Sequence, residues 1–218
     1  MLTVITWRWG SKYSSEHVSK LKAGVARNLT IPHRFICITD QPDTPGDTLP
    51  IEDEGLLSVR DGCYARLRMF DPAWQLKHSI DRLVCLDLDM VITGPLGPLF
   101  DRPEPFMIRH GGHWNPCKFN GSVMMIARCA RPEIWKEFTV EKADKVAHEG
   151  GVWRGSDQTW IAHMAPDAPG WTHADGIYGY KKRGWPGYLP ADARIVTFNG
   201  HRDPSRQTER WVAHHWAA

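Results

Sequence analysis

The 218-residue chain is short of the features that most often announce a function. No apolar run approaches the roughly 20 residues that a membrane-spanning helix needs. No Cys-x-x-Cys pair occurs, and the five cysteines, at 37, 63, 85, 117 and 129, are odd in number. Cys37 and Cys85 sit in apolar runs, where a free thiol behaves as a small hydrophobe. A reduced, cytoplasmic chain is therefore expected. There is no charge excess either: a formal net charge of +2 is too near neutral to argue for nucleic acid. The opening MLTVITWRWG carries no basic region ahead of its short apolar run, so no secretory leader is expected. Repeats and low-complexity linkers are absent, which favours one domain over residues 1–218. What the chain has in excess is tryptophan, eleven in all. Such rings build cores, and they also line sugar and nucleotide sites.

The first forty residues spell strand, helix, strand. LTVIT (2–6) reads as a strand. Ser14 then caps a helix whose stripe is Val18, Leu21, Val25 and Leu29. RFICIT (34–39) is a second strand, closed by the turn-rich DQPDTPGD. This β-α-β unit implies a parallel sheet and a Rossmann-like N-terminal half. Further on, 61–70 is predicted as a helix with Leu67 and Phe70 inward, and 83–88 as a strand. Short strands are expected at 106–109 and 122–127, around a Gly/His/Trp-rich loop. Pro132 should open a helix running to about Val146, and Ser156 should cap another, SDQTWIAHMA. RIVTF (194–198) is a late strand, and 166–193 reads as loop. The fold class is α/β, with one mixed, mostly parallel sheet flanked by helices. In such sheets ligands sit beyond the carboxyl ends of the strands.

LVCLDLDMVI (83–92) holds the sharpest chemical signal. Asp87 and Asp89 interrupt an otherwise apolar run, although carboxylates are seldom buried without a partner. Residues i and i+2 of a strand point to one side, about 7 Å apart, so both carboxylates can converge on one point. Together they repel, and a hard divalent cation, Mg²⁺ or Mn²⁺, removes the conflict. That predicts a metal site serving a phosphorylated substrate. The plainer alternative ends the strand at Leu86 and leaves two solvated turn residues. Two enzyme classes use the pattern: nucleotide-sugar glycosyltransferases of the GT-A type, and haloacid-dehalogenase-like phosphatases, whose hhhhDxDx[TV] strand end Asp87–Val91 also fits. The phosphatase motif normally ends the first strand. Here a complete β-α-β unit precedes it.

Six ordered motifs between Val4 and about Pro204 resemble the GT-A glycosyltransferases, most of all the glycogenin-like family 8 and its bacterial relatives: VITWRWGSKY, YARLRMF, LVCLDLDMVI, FNGSVMMI, SDQTWI and IVTFNGHRDP. The resemblance implies a GT-A-like fold and transfer of a sugar from a nucleotide-sugar, most simply a UDP-sugar, with retention of configuration. It implies that Thr6, Trp7, Tyr13 and Asp40 lie at the nucleotide, with Tyr13 stacking on the base. Arg66 would reach the donor and Asn120 would face its sugar. Asp157 and Gln158 would stand near the reacting carbons, with Asp157 the base if the reaction inverts. Asp87 and Asp89 would hold the metal. The late motif departs from the family: Thr197 stands at the usual histidine position and Asp203 replaces a lysine, which with the tryptophans leaves a non-catalytic sugar- or nucleotide-binding protein as a further alternative. The third metal ligand is left open among Asn199, His201 and a water. The cation for the leaving diphosphate is left open among Arg202, Arg206 and the KKR run 181–183. On this reading 1–90 is a nucleotide-binding half, 91–204 a donor and acceptor half, and 205–218 a tail. The acceptor, a glycan, lipid-linked saccharide or protein, is not indicated.

Each residue also has a plainer reading. Tyr13 can simply pack its loop, and Asp40 can open a turn. Arg66 can be a solvated charge. Asn120-Gly121 is a turn dipeptide, and Ser156-Asp157 is a good helix start. His110, His113 and Trp114 can be loop surface. Trp211 and Trp216 of the C-terminal RWVAHHWAA either meet a membrane surface or partner, or pack on the domain.

Overall fold

The structure, a computed structural model, describes residues 1–111, 117–181, 185–198, 200 and 202–217. Its strands are β1 (Leu2–Arg8), β2 (His33–Thr39), β3 (Asp47–Pro50), β4 (Arg82–Leu86), β5 (Met90–Ile92), β6 (Phe106–His110), β7 (Phe119–Ala127), β8 (Ile177–Gly179) and β9 (Ile195–Thr197). Its helices are α1 (Ser15–Asn28), α2 (Glu54–Leu57), α3 (Pro72–Lys77), α4 (Gly97–Phe100), α5 (Glu133–Lys136), α6 (Val140–Glu149), α7 (Asp157–Met164) and α8 (Arg210–His215). Among the described residues three 3-10 segments join them, the longest being Cys63–Phe70.

All seven residues of β1 are buried, as a strand covered on both faces requires. It lies between β2 and β4, parallel to both. The main sheet runs β3-β2-β1-β4-β7-β6, and only β7 and β6 are antiparallel to their neighbours. A smaller sheet, β5-β9-β8, stands beyond the end of β4. The period of two sorts side chains cleanly between faces. Leu2, Val4, Cys37, Val84, Leu86, Val123 and Met125 pack on α1 through Val18, Leu21 and Val25. Ile5, Trp7, Ile36, Leu83, Cys85, Met124 and Ile126 pack on the 3-10 helix and α7. Each fully buried Val or Leu on these faces contributes about 1.5–3 kcal/mol.

Carboxyl ends of the parallel strands set up the site. The register Leu2↔Arg82 and Ile5↔Cys85 aligns β1 with β4. The loop after β1 therefore lies beside the turn that carries Asp87 and Asp89.

β6 is the sheet's last strand, and its open edge is covered. Ile108 N–H donates to Pro169 O at 3.2 Å, and His110 N–H to Trp171 O at 2.9 Å. Covering an edge in this way prevents pairing with another chain. Gly170 lies so close that a Cβ there would overlap the Ile108 carbonyl oxygen and the His110 ring. That oxygen belongs to a paired strand and cannot easily retreat. Gly170→Ala is expected to cost about 1–3 kcal/mol, which lowers the melting temperature by about 2–4 °C per kcal/mol at this size. A thermal melt that matches the wild type would show that the edge segment can relax.

Several sequence expectations are corrected. The 61–70 helix is a 3-10 helix, Cys63–Phe70; Tyr64, Leu67 and Phe70, all fully buried, recur every three residues and match its period. The helix expected from Pro132 to Val146 is two, α5 and α6, with Pro132 and Thr139 as their caps. β3, mostly exposed, follows the turn-rich segment and carries no apolar signature. The 166–193 stretch contains a 3-10 turn, His173–Asp175, and β8. The C-terminal tail packs on the domain: Trp216 is buried, and Lys20 lies 4.1 Å from its ring centroid. Among the described residues all five cysteines are free, and no helix is long and apolar enough to cross a membrane.

Candidate active site

β4 stops at Leu86, so strand alternation is not what brings the two aspartates together. Asp87 N–H donates to Ser122 O of β7 at 3.0 Å, and the chain then bends. Leu88, 1% exposed, plugs into the core between the two carboxylates. Phe198 N–H donates to Asp89 O at 2.7 Å, and β5 begins at Met90. The pair thus sits at the hinge between the two sheets. The solvated-turn alternative fails as well: Asp89 is 5% exposed, and the Asp87 side chain 28%.

Arg66, from the 3-10 helix, is the first counter-charge. Its Nη1 lies 3.1 Å from Asp87 Oδ1 and its Nε 3.5 Å from Asp157 Oδ2. Nη2 donates to Gly121 O at 2.6 Å. On the other side of that residue, Gly121 N–H donates to Gln158 Oε1 at 3.0 Å. Asp157 Oδ1 in turn accepts the Gln158 N–H at 2.8 Å. The FNGS segment, inside β7 and not a turn, is therefore gripped by Arg66 and by the start of α7. Arg66 is no solvated helix charge.

Burial governs ionisation here. It raises Asp87, against the pull of Arg66. Burial and then the Asp87 charge raise Asp89 to about 7. Asp157 is raised by burial, with Arg66 opposing. Burial disfavours the Arg66 charge too, but Asp87 and Asp157 outweigh it and hold the group cationic.

Tyr13 reaches into the cluster from the loop after β1. Its hydroxyl donates to Asp89 Oδ2 at 3.0 Å. Burial, with Asp89 and Asp87 behind it, keeps that hydroxyl protonated. Lys12 lies over the ring, 4.8 Å from its centroid. His17 is tilted against it at 5.3 Å.

The remaining predicted residues scatter. Trp7 packs in the main core, and Thr6 is buried in β1. The Asp40 side chain is exposed and accepts from its neighbour Gln41 at 2.8 Å. Asn120 Oδ1 accepts from Ser122 N–H at 3.1 Å. Asn199 and His201 lie outside the described residues, as do His113, Trp114, Lys182 and Arg183. Lys181 is paired with Glu209 at 3.2 Å.

Two residues at the site were not singled out from sequence. Arg109, 7% exposed, donates to Thr197 Oγ1 at 2.5 Å and to Ser122 Oγ at 3.3 Å. Burial pushes its guanidinium down to about 10, while Asp87 and Asp89 pull it up. A lone charge inside the apolar strand FMIRH was its signal. Lys12 is exposed, and its charge lowers both Asp87 and Asp89. Nothing in the sequence distinguishes it from other surface lysines.

The donor set suits a hard divalent cation. Asp89 Oδ1 is buried with no hydrogen-bond partner among the described residues, and the Asp87 carboxylate beside it adds repulsion that a divalent cation would relieve. Three metal-binding side chains do not gather among the described residues. The oxygens available are those of Asp87 and Asp89.

No protein-family model matches the chain, and no curated protein matches it in sequence. Solved structures do match in fold. Galactosyltransferase LgtC, in complex with donor and acceptor sugar analogues, superposes with a TM-score of 0.60 at 12% identity, over 93% of this chain and 88% of that one. An active-site mutant of LgtC gives 0.64 at 14%, over 98% and 93%. Glycosyltransferase GlyE from Streptococcus pneumoniae TIGR4 gives 0.69 at 13%, over 99% of this chain but 60% of its own length. From one end to the other, this chain has the α/β fold of these glycosyltransferases, the GT-A type, with its acidic pair where the two sheets meet.

Proposed function

We propose that the chain is a metal-dependent glycosyltransferase that moves a sugar from a nucleotide-sugar, a UDP-sugar in the simplest case, to a hydroxyl of a glycan, lipid-linked or protein acceptor. The observation that carries this reading is Asp89: a nearly buried carboxylate with an oxygen unpartnered among the described residues, beside a second carboxylate, at the carboxyl end of a parallel strand in this fold. Residues 1–90 would bind the nucleotide and 91–204 the sugar and acceptor.

Asp87 and Asp89 would hold Mn²⁺ or Mg²⁺, with a further ligand from Asn199, His201 or a water. Such an ion, when bound, supplies Lewis-acid stabilisation of the departing diphosphate. Transfer breaks the bond between the anomeric carbon and the phosphate oxygen, whose electron pair stays on the phosphate. The acceptor oxygen bonds to that carbon and its proton passes to a phosphate oxygen or to water. The protein's task is then to position and to stabilise charge. Arg66 ties Asp87 to Asp157, so both carboxylates are held in place before substrate arrives. Gln158 holds Gly121 from the side opposite Arg66, and Asn120 beside it would face the donor sugar. Because Arg66 is already paired with Asp157, that carboxylate is poorly placed as a general base, which favours retention over inversion. The phosphatase motif normally ends the first strand, whereas here the acidic pair follows β4.

Calorimetric titration with UDP, with and without Mn²⁺, tests the reading. Binding is expected to strengthen at least about tenfold with the metal, the scale on which even indirect supports of a metal site act. Equal affinity in EDTA and in Mn²⁺, or no binding in either, would remove the metal-dependent donor site.

A further inference from the structure

We propose that Lys12 is the side chain that holds the sugar-bearing phosphate of the donor and offsets its charge as the sugar leaves, a role that rests on the nucleotide-sugar reading above.

The leaving diphosphate gains negative charge when the sugar bond breaks, so a cation facing it is required. Where the late segment packs on α1 it presents an anion and not a cation. Asp203 sits there, its Oδ1 and Oδ2 at 3.1 and 3.3 Å from His17 Nε2. Asp203 Oδ1 also accepts from Ser205 N–H at 2.7 Å and from Ser205 Oγ at 2.6 Å. Burial opposes its charge, yet these bonds hold it below the usual carboxylate range. It is a fixed anion that caps the 3-10 turn Pro204–Arg206.

The buried guanidiniums are already engaged. Arg66 serves Asp87, Asp157 and Gly121 O. Arg109 serves Thr197 and Ser122. Arg8, at the end of β1, is taken by Asp43 at 2.7 Å and Thr44 at 2.8 Å. Lys181 is held by Glu209.

Lys12 differs from all of these. It follows β1 on the loop that delivers Tyr13 to Asp89. Among the described residues its ammonium is in no ion pair. It lies 4.8 Å from the centre of the ring whose hydroxyl touches Asp89, and its field reaches both Asp87 and Asp89. A flexible, exposed ammonium with three donors is the kind of group that follows a phosphate as it moves. A phosphate brought to the acidic pair by a cation would come within its reach.

Titration of the wild type, Lys12→Ala and Lys12→Arg with uridine and with UDP, all in Mn²⁺, tests this. Lys12→Ala is expected to weaken UDP by about 10–100-fold, the worth of a hydrogen bond to a charged group. Uridine affinity should be unchanged, and Lys12→Arg should keep most of the UDP affinity. The affinity of the wild type for UDP should fall more steeply with salt than that of Lys12→Ala. If Lys12→Ala binds UDP as the wild type does, Lys12 has no such role. Equal losses for uridine and UDP would also overturn it, because the lysine would then be ordering the loop and not binding phosphate. If the wild type binds neither compound, the donor reading itself fails, and this one with it.

Discussion

Arg66→Met is expected to lower the melting temperature of the metal-free protein by about 6–20 °C. Removing one partner of a buried ion pair costs about 3–5 kcal/mol, and each kcal/mol is about 2–4 °C for a domain of this size. The Arg66 side chain is 8% exposed and Asp157 7%, so solvent offers little screening. Methionine fills much of the volume, which keeps cavity effects small. What it cannot replace is the charge between Asp87 and Asp157, or the bond to Gly121 O. Asp157 would be left buried and unpaired. Adding Asp157→Asn to Arg66→Met should therefore recover part of the loss, although Asp157→Asn alone should destabilise. Arg66→Lys should fall between, because a single ammonium cannot bridge two carboxylates and a carbonyl as the guanidinium fork does. A double-mutant cycle by denaturant titration reads the coupling directly. Additive losses would mean that Arg66 and Asp157 are neighbours without a functional bond.

The path from sequence to this site was uneven, and the reasons are physical. The apolar lead-in of LVCLDLDMVI marked both acidic residues, because burying a carboxylate without cause is too costly to be incidental. Strand alternation nevertheless does not bring the pair together, because β4 ends at Leu86. Whether a strand continues past Leu86 depends on where Asp87 N–H and Asp89 O find partners, and those are Ser122 and Phe198, distant in sequence. The Tyr64, Leu67, Phe70 spacing reads as well for one helix type as for another over eight residues. Arg109 shows in sequence as one charge in a strand. Its aim depends on the register shift between Ile108 and Arg109 against β7, and on Thr197, 88 residues later. His17 and Asp203 are likewise ordinary surface residues until the fold joins them. Local pattern therefore showed the sheet and the acidic pair. Long-range pairing decided which cations stand around that pair.

Asp89→Asn is expected to separate function from stability. The amide keeps an oxygen for the Tyr13 hydroxyl, which donates to Asp89 Oδ2 at 3.0 Å, but it carries no charge for a metal. UDP binding in Mn²⁺ should weaken at least about 100-fold, since even indirect supports of a metal site are worth 10–100-fold. In EDTA the same variant should be the more stable protein. Asp89 bears a buried oxygen with no partner among the described residues and a carboxyl raised to about 7, chiefly by burial. A group raised in the folded state binds more protons there than in the unfolded chain. Stability therefore falls as pH rises from the unfolded value near 4 through about 7. Asparagine lacks this term. The melting temperature of Asp89→Asn relative to wild type should rise across that window in EDTA, reaching a few degrees at pH 8, for about 1–3 kcal/mol of unsatisfied burial. Mn²⁺ should reverse the order, because a ligand that binds only the folded state stabilises the wild type and not the variant. If Mn²⁺ shifts both melts equally, the ion is not held by Asp89. If the variant is less stable than wild type at pH 8 in EDTA, Asp89 is already paired with a cation in the empty site, and Lys12 or Arg109 is where to look for it.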